Sequence, residues 1–208
     1  MKQLAFFTIV AGVSLVPAQA GELVLNGGFE TGDFTSWTTA LASKGSGLLV
    51  NDLSPNTGGQ SAVFGAIVPG DFDSISQSFD DVNGQTLFFS FFLKGDLPAV
   101  IILFERQGLR SADPVFDPIG DFQVFWDGDL VLDSQGSQTG PFDYTQSLFQ
   151  ETASGHDTIT FSGYNVPGQY FLDDVSVLSP ESATPEPATW ALFGLGLAAF
   201  VAVRRITR

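Results

Sequence analysis

The chain has 208 residues and a formal net charge of −15, set by twenty-three Asp and Glu against eight Lys and Arg, with no cysteine and one histidine. So large an acidic surplus excludes a nucleic-acid footprint and disfavours anionic lipid surfaces as partners. Without cysteine there is no disulfide framework, and burial of an apolar core must hold the fold.

Residues 1–20 stand apart from that core. Lys2 supplies a positive start, residues 4–16 an apolar run, and Ala18-Gln19-Ala20 a small-x-small cleavage pattern, so this stretch reads as a signal peptide and the mature chain begins at Gly21. The other reading, an N-terminal membrane helix, is disfavoured because the apolar run is short and ends at Pro17. Residues 21–183 hold only Lys44, Lys94, Arg106 and Arg110 as basic residues against twenty-two acids, a balance that suits a solvated extracellular domain and divalent cations.

Between residues 21 and 178, short apolar or alternating runs are separated by Gly, Pro, Asn and Asp clusters, and no window carries a helical period. The predicted strands are 22–26, 36–41, 48–51, 60–64, 74–79, 85–94, 99–105, 122–126, 129–132, 142–148, 158–162 and 170–178. Residues 158–162 alternate cleanly, which gives one wet face. Residues 87–93 are apolar on both parities and are expected to form a central strand covered on both sides. Asp127-Gly128 between two apolar runs is a hairpin signal. The pattern is all-β, a jelly-roll-type β-sandwich over residues 21–179 with no internal repeats, followed by a linker at 180–184.

Two stretches near the ends of this domain carry candidate chemistry. Asn26-Gly27-Gly28-Phe29-Glu30, running on to Trp37, and Tyr170-Phe171-Leu172-Asp173-Asp174-Val175 resemble the first and last strands of jelly-roll carbohydrate-binding modules. Ser61-Ala62-Val63-Phe64-Gly65 and Asn165-Val166-Pro167-Gly168 resemble family positions as well. The resemblance implies a structural calcium ion held by Glu30, Asp173 and Asp174, with main-chain carbonyls near Gly27 and Gly28. The residues argue separately. On 170–178 one aspartate falls among apolar neighbours whichever face is inward, and a buried carboxylate needs a metal, another cation or several backbone donors. The alternative leaves Asp173 in water at a strand edge and Asp174 capping a loop. Both readings stay open on sequence alone.

Sugar binding needs exposed aromatic platforms, and the candidates are Trp37, Trp126, Tyr144, Tyr164 and Tyr170. Trp37 reads as core. Trp126, beside the Asp127-Gly128 turn, reads equally as a rim platform or a core plug. No residue is assigned to catalysis. His156 lies within Ser154-Gly155-His156-Asp157, and three residues of one turn cannot converge as a triad does. Twenty-two acids always leave some pair at a separation workable for glycoside hydrolysis, but no motif selects one.

The chain closes with Pro185-Glu186-Pro187, then sixteen residues without a charge at 188–203, then Arg204, Arg205 and Arg208. The prolines hold Glu186 in an extended tripeptide. As a helix the apolar run is roughly 24 Å long and reads as a single transmembrane anchor, with Trp190 at one interface and the arginines cytoplasmic. A soluble core helix is the bland alternative, but it would show a polar face. The three-part order resembles the PEP-CTERM sorting signal of exported bacterial proteins. That resemblance implies recognition of Pro185-Glu186-Pro187 by a membrane-embedded exosortase, a transient inner-membrane tether, and delivery to the cell surface or extracellular matrix. The resulting expectation is a non-catalytic sandwich acting in exopolysaccharide or biofilm association. A carbohydrate-binding module in the strict sense is the alternative, and a glycoside hydrolase is the outsider.

Overall fold

The period-two runs become strands. The computed structural model describes residues 21–96, 119–134 and 141–180, which hold eleven strands in two antiparallel sheets. Sheet A runs in the order β3 (Leu49–Asn51), β4 (Ser61–Phe64), β11 (Gln169–Ser179), β6 (Thr86–Asp96) and β9 (Phe142–Thr152), with β1 (Gly21–Glu22) beside the C-terminal end of β11. Sheet B runs β2 (Thr38–Ala40), β5 (Asp73–Asp80), β10 (His156–Val166), β7 (Ile119–Trp126) and β8 (Asp129–Asp133). The two lie within one compact unit, Ala20–Pro180. Among the described residues no helix is long and apolar enough to cross a membrane. The expected signal peptide at 1–20, the strand at 99–105, the linker beyond Pro180, the triplet at 185–187, the apolar run at 188–203 and the closing arginines lie outside the described residues.

The inner faces of both sheets share one core. Leu87, Phe89, Phe91 and Leu93 of β6 alternate with Tyr170, Leu172, Val175 and Val177 of β11, facing Ile75, Phe79, Phe122, Val124, Trp126, Ile159 and Phe161 of sheet B. Phe161 is the hub, with its ring 5.2 to 6.2 Å from those of Phe91, Phe89, Trp37 and Phe122. The expectation that residues 87–93 are covered on both sides fails at Phe88, which is 45 % exposed. Among the described residues the outer face of β6 has no third layer over it there. Among the described residues a loop, 52–60 between β3 and β4, crosses that face at the other end of the strand, where Lys94 Nζ donates to Ser54 Oγ at 2.8 Å.

The Asp127-Gly128 hairpin forms as the sequence implies. Both residues have positive φ (50° and 87°), the geometry of the turn whose twist matches its strands, and Trp126 pairs with Asp129 across it. The predicted strand at 22–26 shortens to Gly21–Glu22. Asn26 and Phe29 adopt φ of 53° and 55°, so the chain coils through residues 23–37 under the sandwich edge and plants Phe29 and Trp37 in the core. Gly27 is fixed by close approach. Its carbonyl accepts from Val175 N at 3.0 Å, and a Cβ there would overlap the Val175 carbonyl oxygen.

Candidate functional site

Glu30, Asp173 and Asp174, for which the motif resemblance implies a calcium ion, all hold one loop, residues 56–60. Between Asp173 and Ser176 the β11–β6 register slips, and Asp174 takes φ 49° in that bulge. A bulge re-aims side chains, and here both aspartates turn toward the 23–30 coil. A Cβ on Gly28 would lie within 3.9 Å of Asp173 Oδ1, Asp174 Oδ1 and the Glu30 Cγ, so Gly28 leaves room for both aspartates, while the Glu30 carboxylate reaches on to Gly58 and Gly59.

The same carboxylates grip residues 56–60. Asp173 Oδ2 accepts from the amides of Asn56 (2.7 Å) and Thr57 (3.3 Å), and Asp173 Oδ1 from the Asp174 amide (2.7 Å). Asp174 accepts from Asn56 Nδ2 (2.7 Å) and Thr57 Oγ1 (2.6 Å). Glu30 Oε1 accepts from the amides of Gly59 and Gln60 at 2.8 and 3.0 Å. The expectation of Asp173 in water is corrected, since it is 0 % exposed; Asp174 does hold a loop, as that alternative had it. Burial pushes the Asp173 carboxyl up to about 6 against the pull of these donors, and the neighbouring Asp174 charge adds to the rise.

Carboxylate oxygen is the kind of ligand that calcium takes, but the Thr57 hydroxyl is already donating to Asp174. Among the described residues no group of three or more His, Cys, Asp or Glu is closed to metal-ligating distances. The carboxylate oxygens are held by amides and hydroxyls, and the three carboxylates do not converge on one cation position. The residues that sequence reasoning missed are Asn56, Thr57, Gly59 and Gln60. The turn-rich Asn56-Thr57-Gly58-Gly59 was the available signal, but nothing local says that it folds back over a strand more than a hundred residues away.

The aromatic candidates are mostly interior. Trp126 is 5 % exposed, with its ring 5.7 Å from both Phe79 and Phe89, so the rim-platform alternative gives way to the core plug. The hairpin signal beside it fixes the turn, but strand parity points the indole inward. Trp37, Tyr164 and Tyr170 are buried too, Trp37 donating from Nε1 to the Asn26 carbonyl at 3.2 Å. Tyr144 is half-buried on the outer face of sheet A. It donates to the Ser54 carbonyl at 2.6 Å, and burial holds its hydroxyl above the ordinary range. Exposed apolar side chains of that face include Phe88, Leu148, Leu178 and, at the β3 edge, Leu49.

A cavity of about 500 Å³ lies at the end of the sandwich where β6 stops and β10 turns into β11. Gly65, Ile67, Asp96, Asn165, Gln169 and the Val166-Pro167-Gly168 turn line it. At the start of β10, His156 is exposed in its turn, with Nδ1 2.8 Å from Asp80 Oδ1. That bond and the surrounding acids hold its pKa above the ordinary value. Beside it, Asp157 is fully buried and accepts from the Ser154 amide; burial, with the neighbouring Asp157 carboxyl, raises the pKa of both Asp81 and Asp127.

Residues 183–205 match the PEP-CTERM protein-sorting motif. No curated protein matches the chain in sequence. Among solved structures, the chain is similar to the module TmCBM61 in complex with β-1,4-galactotriose, at 17 % identity over 76 % of this chain and 99 % of that one, with a TM-score of 0.53. It is also similar to the K3 cleaved adhesin domain of Lys-gingipain from Porphyromonas gingivalis, at 12 % identity over 77 % and 99 %, with a TM-score of 0.50. A third is the enzymatically active domain of tailspike protein 4 of bacteriophage CBA120, at 13 % identity over 76 % of this chain and 21 % of that one, with a TM-score of 0.50. At such identities the likeness shows the fold alone. The chain is an all-β sandwich of the kind seen in carbohydrate-binding modules, and it carries a PEP-CTERM sorting motif.

Proposed function

We propose that the chain is an exported, exosortase-sorted protein whose non-catalytic sandwich binds carbohydrate and so associates with exopolysaccharide at the cell surface or in the extracellular matrix. The carrying observation is the combination of a sorting motif at 183–205 with a β-sandwich of the carbohydrate-binding-module type in one chain. The acidic, cysteine-free composition supports an exterior destination. A calcium ion at Glu30, Asp173 and Asp174 belongs to the same reading. It would supply the positive charge that a buried aspartate and its neighbour lack, tying the opening coil to the last strand.

The test is fractionation of the native host. The full-length chain is expected in the polysaccharide fraction after cleavage near Pro185-Glu186-Pro187, read as the C-terminal mass of the mature protein. A chain lacking residues 185–208 is expected to miss that destination, and the purified protein to release no reducing sugar from host polysaccharide. An uncleaved chain in the cytoplasm would overturn sorting, and steady sugar release would make the sandwich an enzyme.

A further inference from the structure

The outer face of sheet A carries an apolar surface beside the point where the chain leaves for its sorting motif. Phe88, Leu148 and Leu178 are 45, 72 and 37 % exposed. Strand register sets them side by side. Leu178 of β11 lies opposite Phe88 of β6, which lies opposite Gln150 of β9; in the next row Ser176 and Leu148 flank Ser90. With strands about 4.8 Å apart, the group spans roughly 10 Å across three strands. Apolar residues scattered singly over a surface need no explanation, but a contiguous group marks an interaction site.

Charge sets this face apart. Residues 21–183 hold twenty-two acids against four bases, yet none of these six positions is charged. The acid opposite Leu178 is Glu22, and its carboxylate is taken up by the Ser176 hydroxyl and the amides of Val24 and Val177. A second copy of so acidic a domain is repelled, and so are anionic headgroups. The interfacial layer of a zwitterionic bilayer meets an uncharged apolar face without that cost.

The chain itself sets the distance to such a layer. Two residues after Leu178, the Pro180 carbonyl accepts from Gln85 Nε2, which fixes the exit beside the face. Seven residues, 181–187, then separate Pro180 from the uncharged run at 188–203. Fully extended, seven residues reach at most ~25 Å. A patch of this size binds lipid weakly by itself, because affinity scales with apolar area. A tether so short raises its effective concentration to the order of millimolar, where weak contacts are occupied.

We propose that, while the run at 188–203 holds the chain in a membrane, the outer face of sheet A around Phe88, Leu148 and Leu178 docks on the zwitterionic surface of that membrane. This rests on the sorting reading above and makes docking conditional on the tether. Cleavage near Pro185-Glu186-Pro187 removes the effective concentration and frees the domain.

The experiment uses the full chain reconstituted into phosphatidylcholine vesicles. Because the chain has no cysteine, Gln150→Cys places one reporter thiol on the face, and Leu130→Cys, half-exposed on β8 of sheet B, places one away from it. A membrane-impermeant maleimide reads the accessibility of each. Each variant is compared with a form carrying a flexible Gly-Ser spacer of about thirty residues after Ala183, which leaves the sandwich untouched. Gln150→Cys is expected to react at least tenfold more slowly than its spacer form, and Leu130→Cys at one rate with or without the spacer. Adding Phe88→Ser and Leu178→Ser to Gln150→Cys is expected to restore the fast rate. If Gln150→Cys reacts equally with and without the spacer, on chains that float with the vesicles, docking is overturned and the tether stands. Chains that do not float with the vesicles overturn tether and docking together. Protection that rises with the protein-to-lipid ratio assigns the face to a second copy, and protection seen only with added neutral polysaccharide assigns it to a glycan; either result overturns the lipid assignment.

Discussion

At Asp173 the sequence left a choice that the structure resolves into a mixture. Strand parity alone required that one aspartate of the pair lie among apolar neighbours, and the need for a metal, a cation or several backbone donors followed. The donors are present at 2.7 to 3.3 Å, from Asn56, Thr57 and the next residue's own amide. They were illegible because the 56–60 turn reaches Asp173 through tertiary folding, which no local spacing encodes. A pH dependence follows from the raised pKa. A carboxyl whose pKa in the fold is about 6, above its ordinary ~4, stabilises the fold fully below pH ~4, and that contribution is lost as pH rises through about 6. In chelator the melting temperature is therefore expected to fall between about pH 4 and 6.5, by more in wild type than in Asp173→Asn. Added calcium needs the ionised carboxylate, so its stabilisation is expected to grow over the same interval and to vanish in Asp173→Asn. A melting curve at pH 7.5 indifferent to calcium would remove the metal from Glu30, Asp173 and Asp174.

At the scale of elements, most strands could be read directly, because period two and turn residues are local properties. Predicted strands at 85–94, 122–126, 129–132 and 170–178 match β6, β7, β8 and β11 to within a few residues. The order of strands in each sheet was not readable, nor was the use the loops make of acid. Asp73, fully buried at the head of β5, accepts from the amides of Ala42 and Gly47, and Asp71 from Ser43 and Lys44. Asp157 accepts from Ser154, and Asp127 from Thr158. Carboxylates clip successive loops to strand ends in a chain that has no disulfides to do so. Where clips crowd, they repel. Burial first, then the neighbouring Asp157 and the acids around it, raises the pKa of Asp81 and Asp127, so their protonation favours the fold and that contribution is lost as pH rises through the raised values. Asp127→Asn keeps an oxygen for the Thr158 amide and removes a like charge. It is expected to raise the melting temperature at pH 8 and to change it little at pH 4. An equal shift at both pH values would show that repulsion is not the cause.

For the whole molecule, one core serves both sheets, and its hub is a single ring. Phe161→Ala is expected to cost about 3–5 kcal/mol and to shift unfolding as one transition, with far-ultraviolet circular dichroism and tryptophan fluorescence coinciding. Separate midpoints would mean that the sheets unfold independently. That a core of aromatics forms was evident from twenty-one phenylalanines; that Trp126 belongs to it came only with strand pairing. The connection to the tail has a mechanical meaning. The chain leaves the sandwich through β11, which pairs over eight residues with β6 on one flank and on the other with β4 and then β1. A pull on the C-terminus along that strand loads these ladders together in shear, instead of peeling them one bond at a time from an edge. Unfolding from that end is thus expected to come late and all at once, a rupture set by the barrier to unfolding.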